Sequence, residues 1–288
     1  MSKISIIILN YNSGDYLKKC IDSIKSNTLD KKDYEIIIID NHSTDKSSKD
    51  INIPKIFFRK INDGFSKGNN YGVKKISPTS KYVFFLNPDT ILEKNTLSKI
   101  IDTFEKDKKI DAIAPKIILK TTGNLQPEAH RGFPYPLRAF LHFSKIDSSG
   151  YFQTNLDLNK NHKVEAGVGA AIVLRKEMGE KIGWWDEDYF MYGEDIQLCW
   201  DIKKYHFDLY FIPSIKLTHF QGISSGIKQH TNSNANLETK KRSIMASTQA
   251  MRIFHKKNLS KNYPSILNSL VYKSIDILEK LRLAKLST

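Results

Sequence analysis

The sequence predicts an α/β fold built on a doubly wound, parallel sheet, and three observations carry the prediction. Short runs that are apolar on both faces recur through the first ninety residues, as in "ISIIIL" from Ile4, "YEIIIID" from Tyr34 and "YVFFLN" from Tyr82. Between them stand stripes with the helical period, and such an alternation argues for strands covered by helices on both sides. Each run also exits into polar turn residues: Asn10-Tyr11-Asn12, Asp40-Asn41, Asn62-Asp63-Gly64 and Asn87-Pro88-Asp89. In doubly wound sheets ligands bind beyond the carboxyl ends of the strands, so four polar exits define a candidate crevice.

The elements follow in order. Ile4 to Leu9 is the first strand, and Leu17, Cys20, Ile21 and Ile24 mark an amphipathic helix. Tyr34 to Asp40 and "KIFF" at Lys55 to Phe58 are the second and third strands. Ser43-Thr44-Asp45 reads as a helix N-terminus. The glycine-rich stretch "NDGFSKGNNYG", Asn62 to Gly72, reads as a loop, and Tyr82 to Asn87 is the fourth strand. A helix stripe returns at Leu97, Ile100, Ile101 and Phe104, before the strand "AIAPKIIL" at Ala112 to Leu119.

From Thr121 to His162 periodicity fades while aromatics and prolines accumulate, which predicts a loop-rich insert. Regular structure resumes at Val164 to Glu177, and a helix is expected from about Asp195, on Ile196, Cys199, Trp200 and Lys203. Leu209 to Gly226 reads as a strand pair or a strand and loop. An Asn-rich, polar segment from Lys228 to Thr239 reads as a mobile loop, and two basic helices follow, about Lys240 to Lys257 and Ser265 to Lys285.

The chain has 288 residues, enough for one large α/β domain or two smaller ones, and its 40% hydrophobic content excludes a disordered protein. Its formal net charge is +14, and Gly226 to Thr288 holds 12 Lys and Arg against 3 Asp and Glu, so +9 sits in the tail. Such a patch suits an anionic membrane surface, a phosphorylated substrate or nucleic acid. Two isolated cysteines, Cys20 and Cys199, lie in apolar stripes and read as buried free thiols of a reducing compartment. The opening apolar run is too short for a signal peptide, and nowhere do roughly 20 consecutive apolar residues offer a membrane span. The expected location is the cytoplasm, at the inner face of the cell membrane.

Seven motifs in order, "ILNYNSGDYLKKCIDSI", "IIIIDNHSTD", "NDGFSKGNNYG", "FLNPDT", "GAAIVLRKE", "FMYGEDIQLCW" and "HFQGIS", resemble the glycosyltransferases of family 2, in the rhamnosyltransferase-like branch. The resemblance covers about Ile4 to Ser225. It implies the GT-A fold, a mixed but mostly parallel sheet with flanking helices and a C-terminal helical extension. It divides the chain into a transferase domain, 1–225, with a nucleotide-binding half (1–119) and an acceptor-binding half (120–225), and a basic extension, 226–288. The implied activity is inverting transfer of a sugar from a nucleotide donor, dTDP-rhamnose first and a UDP-hexose or UDP-N-acetylhexosamine second, to a growing glycan that is free or lipid-linked.

The resemblance also assigns roles. Asp89 stands where the family's D-x-D motif holds a divalent cation, Mn²⁺ or Mg²⁺, on the donor diphosphate; a hard cation takes oxygen ligands and accepts several of them from phosphate. Here the motif is Asn87-Pro88-Asp89, so an amide replaces the first carboxylate, and metal affinity without nucleotide is expected to be weak. Asp40 is the expected reader of a pyrimidine base. Asn10, Tyr11, Asn12, Asn62, Gly64, Lys67, Asn69 and Asn87 complete the nucleotide side, with the Asn62 to Gly72 loop as a lid and Lys67 near phosphate.

His219 aligns with a histidine beside the diphosphate, as a metal ligand, with Ser224 and Ser225 following. Asp195 is the expected base, since direct inversion needs a carboxylate beside the attacking hydroxyl, and Glu194 orients the acceptor. Trp184, Trp185, Asp186 and Tyr189 are expected to form the acceptor wall or, equally, part of the core. Gln197 and Asp201 depart from the acidic residue and arginine that usually follow.

The last helix places Leu267, Leu270, Val271, Ile275, Leu278 and Leu281 on one face, which suits a peripheral membrane contact, packing on the catalytic domain, or a homodimer. Two rivals from other classes are a nucleic-acid binder, disfavoured by the absence of a zinc-finger or RRM signature, and a glycan-binding pseudoenzyme.

Overall fold

The computed structural model describes residues 3–49, 51–221 and 237–286. In chain order the elements are β1 (Ile4–Asn10), α1 (Tyr16–Lys25), β2 (Tyr34–Asp40), β3 (Lys55–Phe58), α2 (Phe65–Val73), β4 (Tyr82–Leu86), β5 (Thr90–Leu92), α3 (Thr96–Lys106) and β6 (Ala112–Leu119). They continue with α4 (Pro136–Phe143), α5 (Ser149–Phe152), β7 (His162–Lys163), β8 (Ala171–Arg175), α6 (Lys176–Ile182), α7 (Glu194–Lys204), β9 (Leu209–His219), α8 (Leu237–Phe254) and α9 (Ser265–Ala284).

The strands form one sheet in the order β3-β2-β1-β4-β8-β6-β9-β5, with β7 added beside β9. β3, β2, β1 and β4 are mutually parallel, β8 runs antiparallel to both β4 and β6, and β9 is parallel to β6. Six strands therefore share a direction, while β8, β5 and β7 oppose it.

Side chains alternate across the pleat as a period of two requires. Ile4, Ile6 and Ile8 of β1 join Leu17, Ile24, Leu97 and Phe104 under α1 and α3. Ile7 joins Phe85, Trp185, Leu198 and Phe254 on the opposite face, under α7 and the end of α8. Each such side chain, fully buried, contributes about 1.5–3 kcal/mol. Cys20 and Cys199 are both free and buried, and burial pushes each thiol up to about 12.

Several elements differ from the sequence-based expectation. The stretch expected as a glycine-rich loop is helical from Phe65: Gly64 adopts φ +98°, and the Phe65 N–H docks on the Phe190 carbonyl at 2.7 Å. No helix follows Ser43; instead Asp45 accepts hydrogen bonds from the Ser47 and Gly14 backbone N–H groups and closes a turn. The insert contains α4 and α5, and Pro136 occupies the first turn of α4, where a missing N–H costs nothing. Leu209 to His219 is one long strand. Of the Asn-rich segment expected as a mobile loop, residues up to 236 lie outside the described ones, as do Ser224 and Ser225.

α8 joins the body through Phe254, whose ring lies 5.4 Å from that of Trp200. α9 is fastened to α8 through Arg252, which pairs with Asp276 at 2.7 Å and Glu279 at 3.0 Å. Among the residues of α9 only Ile275 is buried.

Candidate active site

The polar strand exits open on one cavity of about 2200 Å³. Asn12, Asn41, Asn62, Asn87, Asp89, Glu194, Asp195 and His219 all line it. Sheet register brings several of these together. The parallel pairing of β1 and β2 sets Asn10 beside Asp40, and the antiparallel pairing of β5 and β9 sets Thr90 beside His219.

Asp89 and His219 meet directly, with His219 Nε2 3.1 Å from Asp89 Oδ1 and both residues buried. His219 Nδ1 lies 2.7 Å from Oε1 of Gln126, so the ring bridges the Gln126 amide and the Asp89 carboxylate. Among the described residues no cluster of three His, Cys, Asp or Glu surrounds a point in space, so those residues offer Asp89 and His219 as a pair. That donor set fits a hard cation whose remaining ligands are phosphate oxygens.

At the start of α7, Asp195 Oδ2 is ion-paired with Arg131 at 2.7 Å and accepts the Gly169 N–H at 3.2 Å. Burial opposes the Arg131 charge, but Asp195 more than restores it and the guanidinium stays protonated. Glu194 is buried, and its Oε2 has no hydrogen-bond partner. Burial and then the neighbouring Asp195 charge push the Glu194 carboxyl up to about 8. Of two adjacent carboxyl groups, one is ion-paired and the other is pushed toward its neutral form by burial.

The departures at Gln197 and Asp201 form a different brace. Gln197 Nε2 donates to Asp201 Oδ2 at 3.0 Å, and Gln197 Oε1 accepts from the Tyr189 hydroxyl at 3.0 Å and from Asn258 at 2.6 Å. This network joins α7 to the residues after α8.

On the nucleotide side, Asn12 Oδ1 accepts the Thr44 N–H at 2.7 Å and ties two strand exits together. Tyr11 and Gly64 line the cavity. Asp40 does not line it: Oδ1 accepts the Ser43 N–H at 2.8 Å, and Oδ2 is taken by Asn10 at 2.9 Å and by Ser48. The carboxylate expected to read the base is consumed in its own loop. Its neighbour Asn41 faces the cavity instead, donating to Asn62 Oδ1 at 2.8 Å and to the Gly64 carbonyl at 3.1 Å. Asn41 is 2% exposed and its Oδ1 has no partner, a buried acceptor facing the space where a ligand donor fits.

Other expected site residues lie elsewhere. Asn69 is buried in α2 and bonded to the Phe65 carbonyl, and Lys67 is exposed on that helix, off the cavity wall. Trp185 and Tyr189 are core side chains, and Trp184 packs against Gly179. Asp186 is ion-paired with Lys257 at 2.6 Å. The next residues, Phe190, Met191 and Tyr192, line the cavity in their place. Gln126 and Arg131 come from the insert, where no periodicity announced them; their one signal was being polar in a stretch otherwise rich in aromatics and prolines.

Comparison with known proteins agrees with this architecture. The sequence profile described as Glycosyl transferase family 2 matches residues 5–183. The poly(ribitol-phosphate) beta-N-acetylglucosaminyltransferase TarP of Staphylococcus aureus (strain N315) is 31% identical over 137 residues, covering 45% of this chain and 41% of that protein. Rhamnosyltransferase WbbL of Escherichia coli (strain K12) is 26% identical over 231 residues, 75% of this chain and 82% of that one. The chain thus spans less than half the length of the first relative and most of the second. The crystal structure of GalNAc-T7 with UDP, GalNAc and Mn²⁺ superposes on 96% of this chain and 55% of its own, with a TM-score of 0.61 at 16% identity, and shares its fold. A profile match over more than half of the chain, on a mixed sheet whose motifs converge at the strand ends, makes this protein a member of glycosyl transferase family 2.

Proposed function

We propose that the protein transfers one sugar, with inversion, from a pyrimidine-nucleotide donor to a hydroxyl of a growing surface glycan. The observation that carries the reading is the meeting of Asp89 with His219 and of Glu194 with Asp195 on the wall of one cavity. The lack of a partner at Asn41 Oδ1 supports the reading that this oxygen accepts the imino hydrogen of uracil or thymine. dTDP-rhamnose is the first donor proposed, because similarity to the rhamnosyltransferase extends over 75% of the chain. A UDP-N-acetylhexosamine is the second, supported by the poly(ribitol-phosphate) relative.

Asp89 and His219 would hold Mn²⁺ or Mg²⁺, which supplies positive charge to the departing diphosphate when bound. Asp195 takes the proton of the attacking hydroxyl while Arg131 and the Gly169 N–H fix its orientation. Glu194, protonated at neutral pH, donates a hydrogen bond that orients the acceptor. The excess of basic residues in the C-terminal extension supports a location at the inner face of a membrane; no described helix is long and apolar enough to cross one.

Thermal stability against nucleotide sugars, with and without Mn²⁺, tests the reading. Ligand at a hundred times Kd stabilises by about 2.7 kcal/mol, an upward shift in Tm of roughly 5 °C or more. The expected shift is metal-dependent with dTDP- or UDP-sugars and absent in Asp89→Ala. Asp195→Asn should keep the shift and lose turnover by about 10²–10⁴-fold. No shift with any nucleotide would sink the transferase reading.

A further inference from the structure

Residues 183–193 join α6 to α7 without regular secondary structure. The segment carries Phe190, Met191 and Tyr192 to the cavity wall and runs directly into Glu194 and Asp195. Both of its ends are left-handed: Gly183 and Trp184 adopt φ +83° and +65°, and Tyr192 and Gly193 adopt +69° and +79°. For an aromatic residue that conformation is unfavourable, and it persists only where the surroundings hold it.

Much of that hold comes from α2. Asn70 grips the backbone of Trp185 twice: its Nδ2 donates to the Trp185 carbonyl at 2.8 Å, and its Oδ1 accepts the Trp185 N–H at 3.1 Å. One backbone donor and one backbone acceptor fix which way the amide points. A third contact, from Nδ2 to Glu187 Oε1 at 2.9 Å, is exposed. Further along, the Phe190 carbonyl accepts the Phe65 N–H at 2.7 Å from the first turn of α2. Between these points Lys257 pairs with Asp186 at 2.6 Å and with Asp188 at 2.5 Å.

The start of α2 also belongs to the donor side. Gly64, the residue before the helix, lines the cavity, and its carbonyl accepts from Asn41. One short helix therefore carries the donor wall at its first turn and fastens residues 185–190 along its length. Asn70 itself does not line the cavity.

We infer that Asn70 is a positioning residue, which sets residues 185–192 against α2 and so keeps the acceptor side of the cavity and the start of α7 in register with the donor side. The inference rests on the transferase reading and deepens it by naming the residue through which the two sides are joined.

Hydrogen exchange of the full chain, resolved to single amides, tests the grip in wild type, Asn70→Ala and Glu187→Gln. Trp185 loses its own acceptor in Asn70→Ala, so the informative amides are Phe65 and Tyr189, which are bonded to the Phe190 and Asp186 carbonyls and not to Asn70. In Asn70→Ala their exchange should accelerate at least tenfold more than that of β1, β2 and β4. Glu187→Gln should match the wild type. Asn70→Asp keeps the acceptor for the Trp185 N–H and should fall between the two; it replaces Asn70→Ala should that variant fail to fold. Acceleration no larger than in the core strands, or an equal effect from Glu187→Gln, would overturn the inference.

The catalytic readout is hydrolysis of the nucleotide sugar that gives the largest Tm shift. In Asn70→Ala the Tm shift and the KM should stay at wild-type values while kcat falls tenfold or more, since a displacement of about 1 Å at a reacting group costs up to about 10²-fold. A wild-type kcat, with or without a raised KM, would overturn the positioning role. A wild type that no nucleotide stabilises would defeat the transferase reading alone, and the exchange rates of Phe65 and Tyr189 would still decide whether Asn70 holds the segment.

Discussion

Glu194 and Asp195 differ by one position in the chain and by opposite electrostatic surroundings. Asp195 is ion-paired with Arg131, while Glu194 is desolvated, unpartnered and raised from about 4.5 to about 8. The native state therefore keeps a proton that the unfolded chain releases from pH 4.5 upward. The stability linked to Glu194 is complete below that pH and is lost as pH rises through 8. Glu194→Gln removes the titration, so the wild-type Tm should fall relative to the variant between pH 5 and 9, by the equivalent of a few kcal/mol. Parallel pH curves for the two proteins would show that the carboxyl is hydrated and ordinary. If Glu194 also orients the acceptor, the amide, which still donates a hydrogen bond, should retain more activity than Glu194→Ala.

At this scale the sequence was legible where a motif fixed the residue type. Asp89, His219, Glu194 and Asp195 all lie on one cavity, and a strand exit or helix start placed each of them. It was illegible where neighbours in space decide a role. Asp40 and Asn41 are adjacent and both polar, and only the hydrogen bonds that occupy the Asp40 carboxylate separate it from Asn41 on the cavity wall. Gln126 and Arg131 reach the site because the insert folds back on β9 and α7, a closure that no local period records.

Among the elements, long and strongly patterned segments were read to within a residue or two. β2, β3 and β6 have the expected limits, since runs of β-branched and aromatic residues leave little alternative. α2 was missed because its glycines weaken helix propensity. They are required by contacts: a Cβ on Gly68 would lie 2.4 Å from Leu9, and one on Gly64 would lie 2.4 Å from the Phe190 carbonyl. Gly64 also holds φ +98°, so Gly64→Ala adds strain to a clash with backbone. The expected cost is about 1–3 kcal/mol, a fall in Tm of several degrees, together with weaker nucleotide binding as the Gly64 carbonyl moves from Asn41. An unchanged Tm would mean that the loop around residue 190 yields freely.

For the molecule as a whole, one sheet runs through both halves of the expected 1–225 domain. β6 ends at Leu119 yet never touches β4; β8, from residues 171–175, lies between them and is antiparallel to both. On a ribosome, β1 to β4 are complete early, but the free edge of β4 waits for β8 to emerge some ninety residues later, on the order of 5–20 s at ordinary elongation rates. An unpaired edge reading Tyr-Val-Phe-Phe-Leu is a template for pairing with another chain. A fragment of residues 1–119 should therefore sediment as aggregate and lack a cooperative melt, whereas a soluble monomer would show that the edge is shielded in another way. β8 thus also fixes the point in synthesis after which the nascent chain no longer exposes the Tyr82–Leu86 edge.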